Sequence, residues 1–379
     1  MKRLAIVCSH PIQYYVPWFQ FLASKRKLQI KVFYLWDFGS SSTYDPEFGQ
    51  TFTWDLDLLS GYDYSFIRNY APKPGTSSFW GLINPSLPRA VLEFNPSACL
   101  LYGYNSFSHL NLILRLKKYV PLIFRGDSHL LGRRSPTGIK RKLLSSLYSN
   151  FSAFLSVGKN NRSYFEHFGV ASDKLYHCPH AVDNERFSNS GASLRGDLEI
   201  PEEDLVFLFV GKFVQKKCPL ELLEAFVQSA PRSSHLLFIG DGPLQDTLQR
   251  RAEGHTNVHV LSFQNQTQMP SIYKTADVIV LPSFGPYETW GLCINEAFNS
   301  GTAALVSSHV GCAADLVQGQ DTGLIFEAGN TEALTATLRQ FYADSNSLQR
   351  WQANAQSTIQ HYSYTQQTEA LHAALERVS

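Results

Sequence analysis

The chain has 379 residues, of which 44% are hydrophobic and 17% are charged, and 33 basic residues balance 32 acidic ones to a net charge of +1. This length suits two α/β domains, each large enough for its own core, and the balanced charge argues against bulk binding of nucleic acid. Six cysteines are scattered without the paired spacing of a zinc or redox site, so reduced, mostly buried thiols in the cytoplasm are expected.

The amino-terminal half alternates apolar strands with helices. Met1-Lys2-Arg3 runs directly into the first strand, so no signal peptide is expected, and no apolar run approaches the length of about 18 residues that a membrane span needs. Polar residues 184–197 then predict a domain boundary. The pattern predicts a doubly wound parallel sheet, with strands at about residues 4–9, 29–36, 98–103, 121–125 and 153–157.

Two segments of this half carry candidate ligand-binding side chains. The loop after the first strand contains His10, Gln13 and Tyr14, which either face a ligand or cap and pack the following helix. Residues 37–80 form a long excursion rich in aromatic residues, including Trp54. Aromatic rings with nearby acids suit the stacking of sugars, and an extra hairpin packed over the core is the alternative.

The strand at 121–125 ends in the polar residues Arg125, Asp127 and His129. Arg125 either binds a phosphate or forms a structural ion pair with Asp127. Asp127 or His129 could orient a hydroxyl group or accept its proton. A basic patch in this half is either a solvated face or a surface for anionic lipid head groups, and it comprises Lys117, Lys118, Arg133, Arg134, Lys140, Arg141 and Lys142.

The carboxyl-terminal half begins with an apolar strand from Leu205, which Gly211, Lys212 and Lys217 follow before a helix that starts near Pro219. Lysines at the carboxyl end of a strand can meet phosphate, although a solvated turn is the alternative. The next strand ends in a glycine-rich turn, where the backbone either approaches a ligand or simply turns tightly. This turn comprises Gly240, Asp241, Gly242 and Pro243.

Two acids flank the turn that follows the strand at Asp277–Ser283. Glu288 lies in the loop, and Glu296 is placed about two turns into a helix that begins near Gly291. Ligands of open α/β sheets bind at the carboxyl ends of the strands, where the amino termini of helices suit phosphate. The pair therefore either faces a ligand or consists of two solvated helix-surface acids.

Together these motifs resemble retaining glycosyltransferase family 4, the two-domain (GT-B) transferases that include sucrose and glycogen synthases. The resemblance covers residues 200–345 strongly and the amino-terminal half weakly. It implies an acceptor-binding domain over residues 1–190, joined by a carboxyl-terminal helix at about 360–379. It also implies a nucleotide-sugar-binding domain over residues 198–358. Both domains are expected to be Rossmann-like and to face a deep cleft.

The resemblance also assigns roles to residues. Lys212 and Lys217 would stabilise the departing nucleoside diphosphate, Glu288 would contact the transferring sugar or its phosphate, and Glu296 would accept the ribose hydroxyls. Relatives usually carry arginine where Lys212 stands and Asn-Gly where His180-Ala181 stands. The loop of His10, Gln13 and Tyr14 departs from the glycine-rich turn common in the family. From the residues themselves, the acceptor would contact His10, Gln13, Tyr14, Trp54 and Arg125, with Asp127 or His129 at the reacting centre. The remaining donor contacts would be Gly240, Asp241, Gly242, Pro243, Ser262, Phe263, Gln264, Thr289, Trp290, Gly291 and Leu292.

A metal-independent enzyme without a cofactor is expected, because no Asp-x-Asp motif stands in a metal-binding context. Its donor would be a UDP- or GDP-sugar, and its acceptor a glycan or lipid-linked saccharide of cell-surface polysaccharide or lipopolysaccharide synthesis. We expect a cytoplasmic protein with peripheral contact to the inner membrane face and no nucleic acid partner. Two alternatives remain: a nucleotide-sugar 2-epimerase of the same architecture, and a catalytically silent sugar-nucleotide-binding scaffold.

Overall fold

The computed structural model describes residues 1–39, 43–45, 50–52, 54–189, 191–229 and 233–378, with the side chains of 43–45, 50–52 and 345 excepted. Two parallel sheets dominate this part of the chain, one in each half. The two-domain GT-B architecture predicted from the sequence is therefore confirmed. The domain limits 1–190 and 198–358 stay a prediction.

The amino-terminal sheet has seven strands in the order β5-β2-β1-β6-β7-β8-β9. Its strands are β1 (Lys2–Cys8), β2 (Leu28–Tyr34), β5 (Asp63–Phe66), β6 (Ala98–Tyr102), β7 (Leu122–Arg125), β8 (Ala153–Ser156) and β9 (Leu175–His177), and β3 (Thr43–Asp45) and β4 (Gln50–Phe52) form a separate antiparallel pair. The helices are α1 (Val16–Ser24), α2 (Leu87–Phe94), α3 (Phe107–Leu116), α4 (Gly138–Tyr148), α5 (Lys159–His167) and α6 (Asn184–Asn189). The excursion at 37–80 thus contains the hairpin that the sequence left as an alternative.

The carboxyl-terminal sheet has six strands in the order β12-β11-β10-β13-β14-β15. They are β10 (Leu205–Val210), β11 (Ser234–Ile239), β12 (Val258–Leu261), β13 (Val278–Leu281), β14 (Ala303–Ser307) and β15 (Gly323–Phe326). The helices are α7 (Pro219–Ser229), α8 (Gln245–Ala252), α9 (Met269–Thr275), α10 (Leu292–Asn299), α11 (Thr331–Ala343), α12 (Ser345–Ile359) and α13 (Tyr364–Val378). The strand order reverses between β10 and β13, and such a switch point forms a crevice that binds ligands.

The buried strands at this switch point explain its position in the sequence. All four residues of β13 are buried, as are the four central residues of β10, because helices cover both faces of a parallel sheet. Gly291 precedes α10 with a φ of 102°, and a Cβ atom at this position would lie 2.7 Å from the Leu281 side chain. Glycine is therefore required where β13 leads into α10. Glu296 is the fifth residue of α10, nearer its start than the two turns predicted.

Helix α13 returns to the amino-terminal domain, as predicted. Leu371, Ala374 and Leu375 are buried in the amino-terminal core. Trp18 Nε1 donates a hydrogen bond to Thr368 Oγ1 at 3.1 Å, and Lys2 Nζ donates to the Leu375 carbonyl at 3.1 Å. The helix therefore ties the two ends of the chain to the same domain. All six cysteines are unpaired, and five of them are buried.

Candidate active site in the interdomain cleft

A cavity of about 380 Å³ lies between the two domains, at the carboxyl ends of β1, β7, β10 and β11 and the start of α10. Its volume is in the range of small-molecule sites. The predicted residues that line it are Gln13, Tyr14, Trp54, Asp127, Lys212, Lys217, Gly240, Phe263, Gln264, Glu288, Thr289, Trp290, Gly291, Leu292 and Glu296. The tertiary fold thus brings together residues as far apart in the sequence as Ile12 and Glu296 around one space.

Glu288 and Lys217 form an ion pair on the carboxyl-terminal wall of this cavity. Ser283 Oγ also donates a hydrogen bond to Glu288 Oε2 at 2.9 Å. Glu288 is only 9% exposed, so its carboxylate needs these two partners to offset the loss of hydration. Since Lys217 begins the turn into α7 and Glu288 precedes α10, the pair connects two helix starts that the sequence predicted to face phosphate.

Asp127 holds the loop that carries Glu288 from the opposite domain. Its Oδ2 accepts a hydrogen bond from Thr289 Oγ1 at 2.8 Å and lies 3.8 Å from His180 Nε2. Burial alone would raise the pKa of Asp127, but interactions with His180 and Thr289 hold that pKa below its usual value. Asp127 is therefore an ionised carboxylate that faces Glu288 across the cleft.

His129 has a different place from the one expected. Its Nδ1 accepts a hydrogen bond from the Leu131 N–H at 3.1 Å, so Nε2 carries the proton and donates to the Glu288 carbonyl at 3.1 Å. The side chain is 1% exposed and does not line the cavity. Asp127 but not His129 therefore lines the cavity, and His129 holds the Glu288 loop; which of the two meets the reacting centre stays a prediction.

Glu296 lies deeper in the cavity wall. Its Oε2 accepts a hydrogen bond from the Tyr273 hydroxyl at 2.5 Å, and its Oε1 is buried with no hydrogen-bond partner among the described residues. Burial raises the pKa of Glu296 to about 7, although Tyr273, Arg186 and Tyr14 oppose this shift. A buried acceptor atom that lacks a donor is compatible with the ribose contact that the family resemblance implies for this residue, which stays a prediction.

The raised pKa of Glu296 gives a stability prediction. A carboxyl group whose pKa rises from 4.5 to about 7 on folding binds its proton more tightly when folded. The free energy of unfolding therefore falls as pH increases through this interval. At pH 8 we expect Glu296→Gln to unfold with a free energy up to roughly 3 kcal/mol higher than wild type, and at pH 4 with no such gain.

The affinity for nucleotide should increase with pH, whereas the free energy of unfolding falls. Because an ionised Glu296 accepts ribose hydroxyls better than the acid or the amide, we expect wild-type affinity to increase as pH rises through 7. Glu296→Gln should bind nucleotide roughly 10-fold more weakly at pH 8. Urea unfolding and calorimetric titration at both pH values measure the two effects, with the exposed Glu332→Gln as the control. Equal stability of Glu296→Gln and wild type at pH 8 would contradict the prediction.

The glycine-rich turn after β11 lies behind the cavity wall. Gly240 lines the cavity, and a Cβ atom there would lie 2.0 Å from the Gly211 carbonyl oxygen. Asp241 Oδ2 accepts a hydrogen bond from the Phe263 N–H at 2.9 Å, which holds the loop of Phe263 and Gln264 at the cavity. Of the predicted donor contacts, Asp241, Gly242, Pro243 and Ser262 do not line the cavity. Asp241 therefore supports the lining residues from behind.

Trp54 lies beside Phe263 in the cavity wall, and its predicted contact with the acceptor stays a prediction. Its ring is 6.3 Å from that of Phe263, and both rings line the cavity. The neighbouring Asp55 Oδ2 accepts hydrogen bonds from Thr267 N at 3.0 Å and Thr267 Oγ1 at 2.5 Å. The aromatic excursion thus links the amino-terminal domain to the loop after β12.

The Asp55 contact should affect nucleotide affinity through the position of Trp54. Asp55→Asn weakens the link to Thr267, so we expect nucleotide to bind 2- to 10-fold more weakly, in line with the loss of about one hydrogen bond to a charged group. Asp63→Asn is the matched control, because Asp63 is exposed on β5 and pairs with Lys31. Calorimetric titration measures both variants, and equal affinities would exclude the contact from nucleotide binding.

Two other predicted acceptor residues lie away from the main cavity. His10 packs edge-on against Trp36 and Phe38, with its Nδ1 2.9 Å from Ser9 Oγ. Arg125 is 2% exposed, and its hydrogen bonds run to Cys178 and Pro179. The Arg125–Asp127 ion pair proposed as the alternative does not form.

Sequence reasoning missed several cavity residues, among them Tyr15, Gln266, Met269 and Cys293. It also missed the interdomain link in which Asn295 Nδ2 donates to the His180 carbonyl at 3.0 Å. A polar Asn295 inside a buried helix was the available signal, because buried amides require partners.

Over the described ranges, no three His, Cys, Asp or Glu side chains cluster as they would around a metal ion. None of the helices in that part of the chain combines the length and the apolar character of a membrane span. The predicted metal independence stays a prediction.

Known proteins of similar sequence are glycosyltransferases, the class that the motifs predicted. Residues 192–358 match the family model of glycosyl transferases group 1. A sulfoquinovosyl transferase of Arabidopsis thaliana is 32% identical over 164 residues, which are 42% of this chain and 31% of that protein. The UDP-Gal:alpha-D-GlcNAc-diphosphoundecaprenol alpha-1,3-galactosyltransferase of Escherichia coli is 28% identical over 176 residues, 44% of each protein. The matched segment thus spans less than half of either relative.

A solved structure supports the fold over the whole chain. Anabaena HepE in complex with UDP superposes with a TM-score of 0.74 at 17% identity and covers 98% of this chain and 99% of that one. Identity at this level shows the shared GT-B fold alone. The family model and the named relatives support the glycosyltransferase superfamily, which is the class that the motifs predicted.

Proposed function

We propose that this protein is a glycosyltransferase that moves a sugar from a nucleoside diphosphate to a hydroxyl group, with retention of anomeric configuration and without a metal ion. The observation that carries the proposal is the Lys217–Glu288 pair, which faces the ionised Asp127 across one cavity. A cation beside the departing diphosphate and acids beside the sugar suit cleavage of a sugar–phosphate bond.

Three parts of the cavity contact different parts of the proposed donor. Lys212, Lys217 and the amino terminus of α10 stabilise the diphosphate, because cations and helix amino termini favour negative charge. Glu296 accepts the ribose hydroxyls, and Phe263 and Gln264 contact the base. Retention follows from the resemblance to family 4. A UDP-sugar is the favoured donor, since UDP occupies the HepE complex and UDP-Gal stands in the name of the bacterial relative.

Asp127 is the residue that meets the acceptor. Its carboxylate lies at the boundary between the domains, where it can orient a hydroxyl group and accept its proton. The named bacterial relative acts on a diphosphoundecaprenol-linked sugar. We propose that this protein likewise acts on a glycan or lipid-linked acceptor of cell-surface polysaccharide synthesis, and that the transfer takes place in the cytoplasm.

Helix α4 supports peripheral contact with the membrane. Ile139 and Leu143 are 77% and 65% exposed, and Lys140, Arg141 and Lys142 around them are also exposed. Apolar and basic side chains together suit an anionic membrane surface. We expect co-sedimentation with vesicles that contain phosphatidylglycerol, several-fold weaker binding of Ile139→Ser/Leu143→Ser, and unchanged binding of the control Leu92→Ser. Equal binding by both variants would refute the contact.

The first experiment on the reaction is a thermal-shift screen with UDP-, GDP-, ADP- and dTDP-sugars and their diphosphates, with and without EDTA. Ligands that bind the native state raise the melting temperature. A shift with one nucleotide that EDTA leaves intact and Lys217→Ala removes supports the proposal. No shift with any nucleotide favours the silent scaffold. Glycoside formation that depends on added acceptor separates a transferase from a 2-epimerase.

A further inference from the structure

A second cavity of about 180 Å³ adjoins the main one inside the amino-terminal domain. It lies at the carboxyl ends of β1, β6, β7 and β8 and shares Ile12, Tyr15, Asp127 and His180 with the main cavity. Neither Lys212 nor Lys217 lines it. The space therefore extends from Asp127 away from the proposed diphosphate site.

Arg125 lines this second cavity as a buried cation. Its Nη1 donates to the Cys178 carbonyl at 2.9 Å, and its Nη2 lies 3.5 Å from the Pro179 carbonyl. Its Nε is buried without a hydrogen-bond partner, and no carboxylate in the described chain lies within ion-pair distance. A buried charge normally has a counter-charge, because desolvation is costly.

A further polar atom of the same cavity lacks a partner among the described residues. The Tyr102 hydroxyl is shielded from solvent and makes no hydrogen bond, whereas His180 Nε2 faces Asp127 Oδ2 at 3.8 Å. Together, Arg125 Nε and the Tyr102 hydroxyl make two buried atoms able to donate hydrogen bonds around one space. Such atoms are rarely left unsatisfied, so their common location indicates a ligand.

We infer that this cavity binds an anionic group of the acceptor, a carboxylate or a phosphate monoester. The inference rests on the proposed function for the identity of the ligand as acceptor. Arg125 supplies the positive charge, and its Nε and the Tyr102 hydroxyl donate hydrogen bonds to the anion. A hydroxyl group of the same molecule then reaches Asp127, which lines both cavities. The site thereby selects acidic or phosphorylated saccharides.

The volume of the second cavity limits the size of the group that it can bind. At about 180 Å³ the cavity is smaller than the usual site for a drug-sized ligand. It accommodates the charged end of a saccharide, and the remainder of the acceptor occupies the shared region near Asp127. A neutral sugar would leave the Arg125 charge uncompensated and bind more weakly.

Calorimetric titration of the full-length protein with D-glucuronate, D-glucose 6-phosphate and D-glucose tests the inference at constant ionic strength. We expect at least one anionic sugar to bind about 10-fold more tightly than glucose, as a charged hydrogen-bonded pair implies. Which of the two binds identifies the anion as carboxylate or phosphate. The variants are Tyr102→Phe, which removes one oxygen, and Arg125→Met, with Tyr176→Phe on β9 as the control.

Tyr102→Phe should reduce the affinity for the anionic sugar about 5-fold, and Arg125→Met should reduce it to that of glucose. Equal binding of all three sugars by the wild type overturns the inference, as does an anion preference unchanged in folded Tyr102→Phe. A parallel titration with UDP separates the two proposals. If the wild type binds neither UDP nor the other diphosphates of the screen, the proposed transferase is contradicted. Diphosphate binding without anion preference contradicts only this subsite.

Discussion

Replacing Lys217 with alanine is expected to lower kcat/KM for sugar transfer by about 10²–10³-fold, the typical effect of removing one group that stabilises charge in a transition state. Lys217 lines the cavity beside the start of α10, and in the proposed reaction the departing diphosphate develops negative charge there. The same change should weaken binding of the nucleoside diphosphate. Steady-state kinetics and calorimetric titration measure the two effects.

The adjacent lysine provides the matched control. Lys216 lies 5.7 Å from the Tyr287 ring and lines a separate groove on the outer surface. Lys216→Ala removes the same charge one residue away, so long-range electrostatics would affect both variants equally. Wild-type turnover in Lys217→Ala, or equal losses in both variants, would show that Lys217 does not stabilise the leaving group.

Glu288→Gln should separate transfer from nucleotide binding. In the structure the Glu288 carboxylate pairs with Lys217, so it competes with phosphate for this cation. We expect the transfer rate to fall about 10²–10³-fold, because the carboxylate that faces the reacting sugar is lost. The affinity for the nucleoside diphosphate should stay equal or increase, since Lys217 no longer has a carboxylate partner there.

Glu224→Gln is the matched control, because it makes the same Glu-to-Gln change at an exposed position on α7. Single-turnover kinetics measure the transfer step, and titration with the diphosphate measures binding. Unchanged transfer in Glu288→Gln would show that this carboxylate does not act on the reacting sugar. A parallel loss of diphosphate affinity would instead place Glu288 in nucleotide binding.

The sequence predicted the strand ends at the cleft because each motif is local. A buried strand, a glycine and a helix start must follow one another directly, so Gly211, Gly240 and Gly291 could be assigned from the chain alone. The same reasoning placed Glu288, Glu296 and Lys217 at one edge of the carboxyl-terminal sheet. The pairing of β3 with β4 was expected only as one of two alternatives, since aromatic content does not distinguish a binding loop from packing.

Contacts between the domains could not be predicted in this way. Asp127 and Thr289 are 162 residues apart, and Asp55 and Thr267 are 212 residues apart. No sequence spacing encodes which loops of two separate sheets will meet. For the same reason Trp54 was assigned to the acceptor although it lies beside Phe263, and His129 was considered as a base although both its ring nitrogens bind backbone.

The sequence by itself determined two Rossmann-like sheets, the helix starts that face the cleft and the charged residues of the donor side, because local periodicity and turn chemistry set these features. Only the tertiary structure decided which side chains meet across the cleft. It paired Lys217 with Glu288, and it left the buried Arg125 beside a second cavity without a counter-charge. Burial and partner choice depend on how the two domains pack, and that packing involves the whole chain.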